Sequence, residues 1–176
     1  GGTLHQRLAT GFPTGMRFHS TPVIRVGDAK KVELGHAHEA DGRWRLYVFA
    51  DAAGTRAADL FEHLQDVVVP RYTPASADVD STLDVRAVFQ RPHYEIALPK
   101  LPAILRPARG RLGLRDYEKV FATDARPGGD IFDERGIDRT AGALVIVRPD
   151  QYVAHVLPLD GFTDLNAFLA GFLIPA

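Results

Sequence analysis

Four groups of residues have types and spacings that could do chemistry. His36 and His38 form an H-x-H pair. On a strand over Leu34–His38 both imidazoles would face one way and begin a metal site, though no third ligand stands near them; exposed strand histidines are the plainer reading. Asp130, Asp133, Glu134 and Asp138 cluster, but their spacing misses the EF-hand pattern and its central glycine, so a solvated acidic turn is expected. Arg106, Arg109, Arg111 and Arg115, with Gly110 and Gly113, could receive a phosphate or a carboxylate-rich surface. That run is short and lacks the interleaved aromatics that stack on bases, which leaves an interface or a solvated loop. The loop Asp51–Arg56 precedes a helix whose amide end, helped by Arg56, could hold an anion; an ordinary capped helix with Thr55 as N-cap is the alternative.

Nucleophiles are scarce. There is no cysteine, so disulfides and thiolate chemistry are excluded. The serines are Ser20, Ser76 and Ser81, and none stands in G-x-S-x-G. No G-x-G-x-x-G and no P-loop occurs. Gly27-Asp28 matches a flavin-binding dipeptide only in those two residues, since Ala29-Lys30-Lys31 follows without the expected histidine and glycines.

The elements that must position these residues are legible from periodicity. Arg43–Ala50 alternates, with Trp44, Leu46 and Val48 on one face and Arg45, Tyr47 and Phe49 on the other. A helix over Arg56–Val69 carries Ala57, Leu60, Phe61, Leu64, Val67 and Val68 as one stripe and is predicted to stop at Pro70. Leu83–Phe89 alternates again, completing a βαβ unit. Pro22–Asp28 and Tyr117–Ala122 are candidate strands. Prolines 92, 99, 102 and 107 forbid long helices through residues 90–128. Near the C-terminus, a short helical turn leads through Gly136-Ile137 to the apolar run Ala143–Val147. The turn Arg148-Pro149-Asp150-Gln151 then sends the chain back as Tyr152–Leu157. A last helix carries Leu165, Phe168, Leu169, Phe172 and Leu173 as its buried stripe.

Together, βαβ followed by ββα predicts an α/β fold of thioredoxin-like type, a mixed central sheet flanked by helices. Its redox centre would be missing. The CxxC position at the helix start reads Asp51–Arg56, and the cis-proline position before the hairpin reads Thr140-Ala141-Gly142. The 176 residues suffice for one domain burying roughly 70% of its unfolded surface. Net charge is −1, with 21 basic and 22 acidic residues, which argues for neither nucleic acid nor a strongly charged partner. No apolar run reaches the ~18 residues of a membrane span, and no export signal stands at the start; a cytoplasmic protein is expected. The chain opens Gly1-Gly2-Thr3, with Met16 its single methionine, and an excised domain is expected, residues 1–20 leading in from an upstream domain and 21–176 forming the thioredoxin-like C-terminal domain.

The run Gly136-Ile137-Asp138, then Gly142–Val147 and Arg148-Pro149-Asp150-Gln151-Tyr152-Val153-Ala154, resembles the C-terminal domain of the phenol 2-monooxygenase family, most closely its 3-hydroxybenzoate 4-monooxygenase branch. Gly15-Met16-Arg17, Asp41–Phe49, Asp84–Phe89 and Asp116–Phe121 fit the same family. The resemblance implies a parent enzyme with an FAD domain, a substrate domain and a cysteine-less thioredoxin-like third domain associated with dimerisation. It implies hydroxylation with FAD, NADPH and O₂, placing a second hydroxyl ortho to a phenolic one. The family's flavin, nicotinamide and substrate residues lie upstream, so no catalytic, cofactor-binding or metal residue is carried onto this chain. The expected partners are the upstream domains of the same polypeptide and a second copy, with Phe162 or Tyr152 as contacts. The alternative is a free-standing cysteine-less thioredoxin-like protein binding a small anion at Thr55 and Arg56. A third reading is a metal enzyme built on His36 and His38.

Overall fold

The computed structural model describes residues 3–37, 41–125 and 128–176. Nine strands are found among them: β1 (Pro22–Arg25), β2 (Lys30–Glu33), β3 (Trp44–Phe49), β4 (Leu83–Phe89), β5 (Ala108–Arg109), β6 (Leu114–Arg115), β7 (Val120–Thr123), β8 (Ala143–Val147) and β9 (Val153–Leu157). Seven form one sheet in the order β2-β1-β7-β4-β3-β8-β9, while β5 and β6 pair only with each other. Strands β3, β4 and β7 are parallel; β8 and β1 flank them antiparallel, and β9 and β2 pair antiparallel to β8 and β1 at the two edges. The expected βαβ and ββα halves therefore lie side by side in one mixed sheet.

The βαβ crossover is one helical run built of α1 (Thr55–His63), a π-helical turn Leu64–Val68, and α2 (Val69–Tyr72). It does not stop at Pro70, which sits in the first turn of α2. A proline lacks the N–H that an α-turn would use, and the wide π-turn before it shifts the register so that the helix passes through. The same shift breaks the 3.6-residue stripe: Val67, expected inward, is exposed, and Val69 is buried instead. Leu34–His36 is a 3-10 turn rather than a strand.

The sheet is covered on both faces, which is why β8 reads as an unbroken apolar run. On one face Leu46, Val48, Val85, Ala87, Leu144 and Ile146 meet the crossover helix and α4 (Phe162–Ala170). In α4, Leu165 and Leu169 are buried, whereas Phe172, beyond the helix end, is partly exposed and stacks on Trp44 at 4.3 Å. On the other face Tyr47, Phe49, Val88, Phe121 and Val145 meet α3 (Ile131–Glu134) and residues 3–20. That N-terminal segment puts Leu8, Ala9, Phe12 and Phe18 into the core. Phe18 stacks between Phe12 and Tyr47, 4.5 Å from each. It also runs beside β9, where Gly15 N–H donates to Val153 O and Val153 N–H donates to Met16 O. Of the two contacts expected from the sequence, Tyr152 is partly exposed, and Phe162 stacks on His63 at 4.5 Å.

Candidate functional site

At the C-terminal end of β3 the chain turns through Asp51 to Gly54 into α1. Gly54, with φ +77°, is the N-cap in place of Thr55. The helix end is filled from within. Asp51, buried, accepts from the Ala57 N–H at 3.0 Å, and its carbonyl accepts from Gly54 N–H. Ala52 N–H donates to Arg139 O, and Gln90 Nε2 donates to both Ala50 O and Arg139 O. Facing this loop, Gly142 has φ +68°, and a Cβ there would stand 2.6 Å from Phe49 O and 2.8 Å from Asp51 N. The amide end expected to take an anion therefore already holds a carboxylate of its own chain.

The acidic group beside it is likewise internal in purpose. Asp130 Oδ1 accepts from Phe132 and Asp133 N–H, and Asp133 accepts from Asp130 N–H, a capping box on α3. Arg139 closes on Asp130 at 2.6 Å and Asp133 at 2.9 Å. The hydrogen bond from Arg139 is the main cause holding the Asp133 carboxyl below its usual range. Asp138 accepts from Thr140 and Ala141 N–H.

The arginine run does not converge on one point. Arg106 donates to Leu101 O, Arg115 donates to Arg106 O, and Arg111 lies in the turn joining β5 and β6. Of the run, Arg109 turns inward, toward Asp80 and Asp116. His36 is exposed on its 3-10 turn, and His38 lies outside the described residues. Among the described residues no three histidine, aspartate or glutamate side chains are grouped to hold a metal.

The concentration of charge lies at the opposite end of β3. Arg45 and Asp84 are register partners on β3 and β4, and Tyr47 faces Arg86 one step along. Asp84 is fully buried yet ionised, hydrogen-bonded by Arg86 Nε at 3.0 Å and by Lys119 Nζ, with Arg45 Nε in ion-pair range at 3.3 Å. Burial pushes its carboxyl up, but Arg86, Lys119 and Arg45 outweigh that and bring it down to about 2. Lys119, itself buried, also reaches Asp80 at 2.7 Å. Arg43 joins Asp80 at 2.8 Å, and Asp41 takes Arg45 at 2.7 Å and Arg43 as well. Arg86 donates onward to Ala37 O. Burial drives the Tyr47 phenol well above its usual range, so it stays neutral beside these charges.

This lattice was missed in the sequence. Its signal was there: Arg45, Asp84 and Arg86 all fall on one face of strands otherwise apolar. Every carboxylate in it is paired, Asp41, Asp80 and Asp84 being shared among the four cations Arg43, Arg45, Arg86 and Lys119. It fastens β3, β4, the start of β7 and the β5–β6 hairpin to one another.

Residues 2–176 match the family described as phenol hydroxylase, C-terminal dimerisation domain. The chain belongs to that family. The dimerisation domain is 53% identical to 3-hydroxybenzoate 4-monooxygenase of Comamonas testosteroni, across 96% of this chain and 28% of that protein. It is 34% identical to the FAD-dependent monooxygenase terD of Aspergillus terreus, across 98% of this chain and 30% of that one. It thus spans under a third of the length of these relatives. Its fold is similar to the crystal structure of a thioredoxin-like protein from Bacteroides caccae, with a TM-score of 0.60 at 11% identity, covering 94% of this chain and 52% of that one. The expected thioredoxin-like architecture is therefore observed.

Proposed function

We infer that this chain is the C-terminal dimerisation domain of an FAD- and NADPH-dependent aromatic monooxygenase. The parent would place a hydroxyl ortho to a phenolic one, on substrates of the phenol or 3-hydroxybenzoate type, in the cytoplasm. The observation that carries this reading is the 53% identity to 3-hydroxybenzoate 4-monooxygenase over nearly the whole chain. The reaction belongs to the rest of the polypeptide. A flavin diphosphate needs a helix end with free amides or a glycine-rich turn. Here the Ala57 N–H at the amide end of α1, which follows a parallel strand, is taken by the Asp51 carboxylate. The residues at this helix end do not fit FAD. The same carboxylate argues against a free-standing anion-binding protein, because it occupies the place the anion would take.

The test is isolation of the native polypeptide with an antibody raised against this chain. A yellow, FAD-containing protein several times larger than 19.3 kDa, oxidising NADPH when 3-hydroxybenzoate or phenol is added, is the expected result. A colourless polypeptide near 19.3 kDa overturns the reading.

A further inference from the structure

The β5–β6 hairpin is the part of the molecule that the fold does not explain. Residues 108–115 are all exposed, and the two strands join no other strand. Among the described residues, no heavy atom beyond the chain neighbours lies within 4 Å of a Cβ placed at Gly110 or Gly113, so the turn stands clear of them. Two-stranded hairpins of this size are not stable alone. This one is held at its base. Arg109 pairs with Asp116 and Asp80, and Gly110 N–H donates to Asp78 Oδ1 at 2.9 Å. Through Asp80 it is tied to the buried lattice of Lys119 and Arg43.

What is held this firmly is an apolar tip. Leu112 is 85% exposed and Leu114 69%, with Tyr117 45% exposed just beyond. Beside them lies a groove of about 450 Å³ whose walls include Leu114, Tyr117, Asp28 and Glu118. Tip and groove match in their apolar surface. The tip presents Leu112, and the groove offers the wall of Leu114 and Tyr117, while its Asp28 and Glu118 carboxylates are held by Arg25. Both lie on the same chain, and that is what a twofold contact requires.

We propose that the β5–β6 hairpin is the dimerisation arm: Leu112 of one copy enters the groove beside Leu114 and Tyr117 of a second copy, and reciprocally. This rests on the reading of the chain as a dimerisation domain and names the surface that does it. A stable dimer buries about 800 Å² on each partner, more than one arm tip supplies, so the groove and the turn between β1 and β2 must be covered too.

The absence of cysteine makes the test direct. Leu112→Cys and, as a control at the other end of the sheet, Tyr94→Cys each place one thiol in the chain. Maleimide labelling is followed over a concentration series while sedimentation reports the association state of the same samples. The expected result is that labelling at position 112 slows about fivefold at a protomer concentration ten times the dissociation constant, while position 94 stays open. A dimer in which position 112 labels as fast as in the monomer overturns the arm and leaves the dimerisation reading standing. A chain that stays monomeric at every concentration overturns that reading and the arm with it. Leu112→Asp, on an exposed tip away from the core, should weaken the dimer about thirtyfold with an unchanged circular dichroism spectrum; an unchanged dissociation constant counts against the arm.

Discussion

The two ends of β3 close in opposite ways. At its C-terminal end a single buried carboxylate, a glutamine amide and a tight glycine shut the helix end, using short-range hydrogen bonds between neighbouring loops. At its N-terminal end, charges drawn from Asp41 to Lys119 are packed together in the interior. The first arrangement takes up an amide at the start of α1, where the sequence suggested an anion could sit. The second is costly to desolvate. Its products are position and direction: it sets where the β5–β6 hairpin stands. In this dimerisation domain the buried charges tie strands and hairpin together.

The comparison breaks first, and most severely, at Asp84. Asp84→Ala leaves Arg45, Arg86 and Lys119 without their shared counter-charge in a dry site. Removing one member of a buried ionic group costs about 3–5 kcal/mol. Against the 5–15 kcal/mol of a typical domain, that is a large fraction of the whole. Urea unfolding of the variant beside the wild type measures it; a loss below ~1 kcal/mol would mean the lattice is solvated and holds nothing.

The same carboxylate gives a pH signature. Its acidity in the folded chain is brought down to about 2, below the ordinary value of 3.8. A lowered carboxyl stabilises the folded state fully above the unfolded value, and that contribution is lost as pH falls through the folded one. Stability should therefore decline between about pH 4 and pH 2, by about 2 kcal/mol from this group. Asp84→Asn should flatten that part of the curve. An unchanged slope in the variant would assign the acid sensitivity to other carboxylates.

How much of this was readable beforehand follows the same division. The βαβ and ββα halves were legible because alternation and helical stripes are local, and Pro149 with Gln151 marks the hairpin turn directly. The hairpin β2 and the 3-10 turn at His36 were not, because Lys30–Glu33 is half-exposed and carries little apolar pattern. Pro70 misled because the compensating π-turn is a register shift with no residue signature. The lattice hid for another reason. Asp41, Asp80, Asp84 and Lys119 are scattered over eighty residues, and their meeting depends on β4 lying between β3 and β7. The plug hid most completely, since Asp51 reads as an ordinary loop aspartate until its acceptor contact with Ala57 is seen.

At the other end of β3, Gly142→Ala is the sharpest probe. The residue would have to keep φ +68° while its methyl met Phe49 O, Asp51 N and Leu159 Cδ1 at 2.6–2.8 Å. Left-handed strain alone costs of order 1–3 kcal/mol, and the clash with backbone adds to it. A loss of about 2 kcal/mol or more in thermal or urea unfolding is expected. A neutral substitution would show that the loop before α1 can move aside, and that the closure at this end is loose.

Asp51→Ala has the smallest effect on stability and the most to say about the comparison. Losing a capping carboxylate costs about 1 kcal/mol. It also leaves the Ala57 N–H and the positive end of α1 without their internal anion. If the closure of this end is the work of that carboxylate, the variant gains what the wild type lacks. Inorganic phosphate should raise the melting temperature of Asp51→Ala in a saturable way and leave the wild type unmoved, because an anion that binds only the folded chain stabilises it. Arg56→Ala in the same background should weaken the response, since its cation stands at the start of the same helix. Equal responses in wild type and variant would place the phosphate elsewhere, and the helix end would then be closed by the backbone itself through Arg139 O and Gly142, with Asp51 only a cap.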